Sequence, residues 1–199
     1  DVSGYPVEIS IKDLDVPADT ALQFKYAKGV FQAPDRIDAN IQFSLGDFTT
    51  SAELIALNRD HYFRAEVFGD HWLAGELIAG FSPASLVAQP GGISYALQSI
   101  SDLQMVGKTD LDGRPVFHLT GTIQASNVHS LTFGLIRTQE GQLKIEVYIQ
   151  VKDRRVAQIT LFDPPPAAEP DQEQTTWKIG LMGYDQEISI TPPPIDKTD

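Results

Sequence analysis

The chain has 199 residues, with 27 Asp and Glu against 15 Lys and Arg, a formal net charge of −12 and no cysteine. The length suits one domain with a sizeable core, and the charge disfavours nucleic acid and anionic lipid surfaces, which need clustered Lys and Arg. Missing thiols exclude disulfides, thiol catalysis and Cys-ligated zinc, and no apolar run approaches the ~18 residues of a membrane-spanning helix.

In chain order, period-2 alternation dominates. Val7 to Ile11 reads as a first strand and Leu22 to Phe31 as a second. Ile37 to Leu45 alternates Ile37, Ala39, Ile41, Phe43 and Leu45 against Asp38, Asn40, Gln42 and Ser44, then turns at Gly46-Asp47. Ser51 to Leu57, carrying Leu54, and His61 to Phe68, carrying Phe63, follow around Asn58-Arg59-Asp60; Gly69-Asp70 turns into His71 to Leu73. Tight polar turns between short alternating runs predict a meander of antiparallel hairpins.

The pattern then changes. Ser82 is a candidate N-cap with Pro83 at the first helical position, predicting a short helix over Pro83 to Gln89 that includes Leu86 and stops at Pro90-Gly91-Gly92. Ile93, Ala96, Leu97 and Ile100 recur at i, i+3, i+4 and i+7, one apolar stripe on a second helix.

Strands resume with Leu103 to Thr109, then Arg114 to Gln124, where Phe117, Leu119 and Ile123 oppose Val116, His118 and Thr120. Gln142 to Val151 places Leu143, Ile145, Val147 and Ile149 on one face. Lys152-Asp153-Arg154 turns into Val156 to Phe162. The Pro-rich acidic stretch Asp163 to Gln174 reads as a long hairpin loop. Thr176 to Met182 and Gln186 to Thr191 are expected to form the last hairpin, ended by Pro192-Pro193-Pro194. Residues 1–194 read as one domain and 195–199 as a tail, without internal repeats.

The expected fold is thus mainly β: about eleven antiparallel strands with two or more short helices. At about 4.8 Å per strand such a sheet would be roughly 50 Å wide, and it is expected to curl into a barrel-like shell. Two helices cover only part of that width. Either the shell is small and filled by side chains, or an apolar cavity remains for an apolar ligand.

Recognisable catalytic chemistry is absent. His61, His71, His118 and His129 show no metal-ligand spacing, and neither a nucleophile elbow nor a phosphate-binding loop is present. Asp110 and Asp112 before Gly113 resemble the start of a calcium loop, but the later ligands are missing and turn chemistry accounts for them. Glu53 and Glu66 fall on adjacent predicted strands without an established separation. Trp72 and Trp177 read as core or rim residues. The chain is expected to be no enzyme and to need no metal or cofactor.

Several blocks in order carry a resemblance: Phe81-Ser82-Pro83-Ala84-Ser85-Leu86 with Pro90-Gly91-Gly92-Ile93; Leu103 to Thr109; Asp112 to Thr122; and Gly183-Tyr184 with Ile188 to Pro193. Together they resemble the LppX/LprAFG family of bacterial lipoproteins, which shares its overall fold with LolA- and LolB-type carriers. Tyr148-Ile149-Gln150 stands where Trp-Ile-Asp is expected, and the loop Asp163 to Gln174 looks longer than usual.

The resemblance implies a half-barrel around helices, enclosing an apolar pocket for acylated lipids or glycolipids. It implies export by a signal peptide and anchoring to the outer face of the cytoplasmic membrane through a lipidated Cys just before Asp1. The protein would be a monomer that carries lipid across the envelope, with no nucleic-acid partner. The candidate pocket lining is Ile41, Phe43, Leu54, Phe63, Leu86, Ile93, Ala96, Leu97, Ile100, Phe117, Leu119, Ile145, Val147 and Ile149. The competing reading is a non-enzymatic surface interaction or lipoprotein-assembly protein whose β-shell is filled and holds no lipid. An apolar lining predicts lipid binding that depends little on salt.

Overall fold

The computed structural model describes residues 5–12, 23–45, 48–69, 71–76, 80–165, 167, 170–171 and 174–195, with 5–12, 23 and 45 described by backbone alone. The turn Gly46-Asp47, much of the loop Asp163 to Gln174 and residues 196–199 lie outside the described residues.

Eleven antiparallel strands are described: β1 (Tyr5–Lys12), β2 (Gln23–Gln32), β3 (Arg36–Leu45), β4 (Phe48–Leu57), β5 (Asp60–Ala65), β6 (Leu73–Ala74), β7 (Ser101–Leu111), β8 (Arg114–Gln124), β9 (Gln142–Gln150), β10 (Val156–Asp163) and β11 (Thr175–Leu181). The order is β6-β5-β4-β3-β2-β1-β11-β10-β9-β8-β7. Two five-stranded arrays, β2 to β6 and β7 to β11, therefore meet on either side of β1. β6 and β7 are the edges, and no pairing between them closes a barrel.

The alternation expected from sequence sets the faces. Ile37, Ala39, Ile41 and Phe43 of β3 are buried, as are Ala52, Leu54 and Ala56 of β4 and Leu143, Ile145 and Val147 of β9. Both arrays contribute to one hydrophobic core, in which Trp177 stacks on Phe24 with ring centres 6.5 Å apart.

Between β6 and β7 the chain forms a 3-10 turn, Pro83–Val87, and a six-residue helix α1, Ile93–Gln98. Ser82 occupies the N-cap with Pro83 following, but its hydroxyl donates to the Asn58 carbonyl at 3.4 Å instead of capping. A helix this short is not stable alone. Leu86 and Ala96 hold this segment by entering the core.

A second inward segment, residues 125–141, was not visible as a periodic element. It starts with the 3-10 turn Ala125–Val128 and buries Ala125, Val128, Leu131 and Ile136. Two other expectations need correction. His61 to Phe68 is strand only to Ala65, then a 3-10 turn over Glu66–Phe68. Gln186 to Thr191 forms no strand. Instead Ile190 is fastened by side chains: its N–H donates to Gln32 Oε1 at 2.9 Å and its carbonyl accepts from Arg36 Nη1 at 2.8 Å. The chain after β11 thus runs as a strap back to the β2–β3 turn.

Gly29 shows how closely the strands approach. It pairs with Ala39 in β3, and a Cβ at position 29 would overlap the Asp38 carbonyl oxygen and sit 2.7 Å from Ala39 Cα. Backbone cannot swing aside as a flexible side chain can. Gly29→Ala is expected to cost about 2–3 kcal/mol and lower Tm by about 4–12 °C. A thermal melt unchanged within about 2 °C would contradict this close approach.

Candidate functional site: an apolar cleft beneath the strap

A cleft of about 390 Å³ lies where α1 and the preceding 3-10 turn face the start of β10 and the end of β11. Leu86, Val87, Ile93, Leu97, Val156 and Leu181 supply its apolar wall; Ser94, Arg154, Arg155, Tyr184 and Asp185 complete it. The volume falls in the ~300–1,000 Å³ range of small-molecule sites.

The strap forms one side. The Tyr184 hydroxyl donates to the Val156 carbonyl at 2.8 Å, and the Arg155 guanidinium, 5.0 Å from the centre of the Tyr184 ring, is ion-paired with Asp185. Burial is the main cause that pushes the Tyr184 phenol up to about 12; Asp153 adds to the rise and Arg155 opposes it. Tyr148, on the other face of the sheet, is pushed to about 12 by burial and by its 2.9 Å hydrogen bond to Glu146. The fold holds both phenols neutral, whereas the unfolded chain ionises them near pH 10. Their contribution to stability is therefore full below pH 10 and is lost as pH rises from 10 towards 12. Chemical denaturation midpoints should fall across that window, with two phenolates appearing late in an absorbance titration. Stability flat from pH 9 to 12 would contradict the assignment.

The predicted lining residues separate into groups. Leu86, Ile93 and Leu97 line the cleft. Ala96, on the same helix, is 1% exposed and enters the core. Ile41, Phe43, Leu54, Ile145 and Val147 are also buried core residues, and Ile149 and Ile100 pack against that core. Ile100 sits over Gly121, where a Cβ would come within 2.6 Å of its Cγ2. Phe63, Phe117 and Leu119 are half-buried. Sequence reading missed Val156, Leu181 and the strap residue Tyr184, although Gly183-Tyr184 stood in one of the blocks singled out.

The expectation of an uncharged lining is corrected. Arg154, in the turn between β9 and β10, lies on the cleft with its Cζ 4.6 Å from the centre of the Phe117 ring. Lys108 of β7 reaches the same ring, its Nζ 5.4 Å from the centre.

A larger concavity, about 470 Å³, lies on the opposite face of β8 to β11 and is lined by Asp112, Arg114, Glu146, Tyr148, Gln158, Thr160 and Lys178 among others. It also presents Leu111, Phe162 and Met182, but its charged and amide groups would lose water to an apolar group and gain no hydrogen bond, so the smaller cleft is the more apolar of the two. On that outer face His118 stacks on Tyr148 at 4.6 Å, with its Nε2 3.3 Å from Glu146, which Lys144 also contacts at 2.8 Å.

Other candidate chemistry resolves into structure. Asp110 Oδ1 accepts from the Gly113 N–H at 2.7 Å, a turn bond. Glu53 is clamped by both its oxygens to Arg64 Nη2 at 2.7 and 2.8 Å. Among the described residues no group of three His, Cys, Asp or Glu side chains could hold a metal, and no helix is long and apolar enough to cross a membrane.

The comparisons with known proteins agree with this architecture. The structure is similar to the crystal structure of LprF from Mycobacterium bovis, with a TM-score of 0.72 and 14% identity over 96% of this chain and 90% of that one. It is also similar to the lipoprotein LppX from Mycobacterium tuberculosis, with a TM-score of 0.62 and 16% identity over 96% and 90%. At these identities the likeness concerns the fold. No curated protein matches the sequence significantly. The LppX_LprAFG lipoprotein family profile matches residues 2–190, nearly the whole length, and the chain belongs to that family.

Proposed function

We propose that this protein binds an acylated lipid or glycolipid in the cleft beneath the strap and carries it across the aqueous cell envelope. In this reading it is a monomeric, single-domain lipoprotein, exported by a signal peptide and held at the outer face of the cytoplasmic membrane by an N-terminal lipid anchor. The eleven-stranded sheet curls as a half-barrel around the short helices and needs no catalytic group, metal or nucleic acid. The observation that carries the reading is the cleft's apolar wall, in which Ile93, Leu97 and Val156 are half-buried and Leu86 and Leu181 buried, in a chain of this family.

Transfer energy supplies the mechanism. Each CH₂ withheld from water is worth about 0.8 kcal/mol, so a ~16-carbon chain resists leaving a bilayer by about 12 kcal/mol. A cleft that recovers most of this term removes the obstacle to transfer. A wall without directional hydrogen bonds still lets the chain slide out at the destination.

A second reading is favoured by the close burial of Ile41, Phe43, Leu54, Ile145 and Val147, each 5% exposed or less. Under it the shell is filled, and the protein is a non-enzymatic surface or lipoprotein-assembly factor without lipid. Native mass spectrometry of the protein after incubation with diacylglycerol in mixed micelles separates the two. A mass increment equal to one lipid is expected; bare protein at every lipid concentration would favour the filled shell.

A further inference from the structure

We propose that the concavity of about 470 Å³ on the outer face of β8 to β11 binds an acidic sugar, a hydroxylated ring carrying a carboxylate. The site lies across the sheet from the apolar cleft and does not depend on the lipid reading. Two cross-strand rows build it. Gly180, Gln158, Tyr148 and His118 stand side by side on β11, β10, β9 and β8, and Lys178, Thr160 and Glu146 begin the next row. Gly180 and Ala157, which sits at the bulge in β10, carry at most a methyl group and open the floor. His118 covers one face of the Tyr148 ring, with centres 4.6 Å apart and planes at 6°. The other face looks towards β10 and the concavity, a flat platform for the apolar C–H face of a sugar ring.

The polar groups beside that platform suit hydroxyls and one negative charge. Gln158 Nε2 donates to Thr160 Oγ1 at 3.0 Å, which leaves the amide carbonyl to accept from a ligand hydroxyl and the Thr160 O–H to donate to one. Glu146 is already offset by Lys144 at 2.8 Å. Arg114 donates to the Met182 thioether at 3.2 Å, a weak acceptor for a guanidinium. Arg114 and Lys178 are half-buried, and neither has a carboxylate partner among the described residues of a chain with 12 more acidic than basic side chains. A ligand carboxylate gains a charge-assisted bond from these cations, and its ring hydroxyls replace the water lost by Gln158 and Thr160. Strands β8 to β11 are interior to the sheet, so their backbone offers no free edge to an extended peptide. Recognition rests on side chains, which favours a compact ring.

Saturation-transfer NMR titrations of the intact chain with glucuronate, glucose and acetate test this. Glucuronate is expected to bind about fivefold to twentyfold more tightly than glucose at low salt, the size that two partly exposed charge contacts supply. Equimolar acetate should leave glucuronate bound. Arg114→Gln with Lys178→Gln should bring the two sugars to equal affinity, whereas Arg59→Gln, in the turn between β4 and β5, should leave the preference intact. Tyr148→Leu, with a native thermal melt as the check on its fold, should weaken both sugars alike. Equal binding of the two sugars by wild type, a preference that survives the double substitution, or undiminished binding by folded Tyr148→Leu overturns the proposal. Displacement of glucuronate by acetate marks a plain anion site and also overturns it, as does failure of both sugars to bind. None of these failures touches the lipid reading, because the cleft lies on the other face of the sheet.

Discussion

Replacing Asp163 by alanine is expected to destabilise the fold by about 3–5 kcal/mol, the loss seen when one member of a buried charged hydrogen-bonded set is removed. Asp163 is fully buried at the end of β10. Its carboxylate accepts from the backbone N–H groups of Arg137 at 2.8 Å and Thr138 at 3.1 Å, and from the Thr138 hydroxyl at 2.6 Å. The Arg137 guanidinium lies 3.8 Å away. Alanine would remove the common acceptor of all three bonds, and each buried unpaired donor costs about 1–3 kcal/mol. The damage would spread through the inward segment 125–141, whose Leu131 and Ile136 are core residues. Tm should fall by about 6–20 °C for a chain of this length. Asp163→Asn keeps one carbonyl acceptor and should lose less than half as much. A thermal melt showing equal Tm for wild type and Asp163→Ala would refute the role of this carboxylate as the fastening of the segment.

That segment marks the limit of what the sequence discloses. β3 and β9 were legible because a strand with one buried face imposes a strict period of two, and Ile37 to Phe43 and Leu143 to Val147 obey it. Residues 125–141 obey no period. They enter the core through a turn and irregular backbone, and their order depends on a carboxylate of a distant strand. The strap misled for the opposite reason. Ile188 and Ile190 alternate as a strand would, but the backbone of Ile190 finds its partners in the side chains of Gln32 and Arg36. Alternation reports an extended chain and does not say what satisfies its hydrogen bonds. The cleft was half legible for a similar reason. The apolar stripe of α1 identified Ile93 and Leu97, while Val156 and Leu181 come from strand ends and Arg154 from a turn that only the tertiary fold brings to the helix.

The separation of Ala96 from Leu97 yields the most discriminating experiment. Neighbouring residues on a helix point about 100° apart, and here Ala96 enters the core while Leu97 faces the cleft. Ala96→Trp must force an indole among close-packed side chains, where overpacking costs about 1–3 kcal/mol and more for so large an insertion. Lipid uptake would be lost with the fold, and the result would say nothing specific about a ligand. Leu97→Trp exchanges one half-buried apolar group for a larger one that extends into open space of about 390 Å³. No neighbour has to move, so Tm should stay within about 2 °C of wild type. The ring would occupy the volume assigned to the acyl chain, and each CH₂ it excludes removes about 0.8 kcal/mol of binding. Excluding only two or three lowers affinity by about tenfold to fiftyfold. Near-native melting with lost uptake of a fluorescent fatty acyl probe is the expected outcome for Leu97→Trp. Full uptake in that variant would place the lipid elsewhere, and a collapse of Tm like that of Ala96→Trp would mean that the cleft is closed and that the filled-shell reading is the right one.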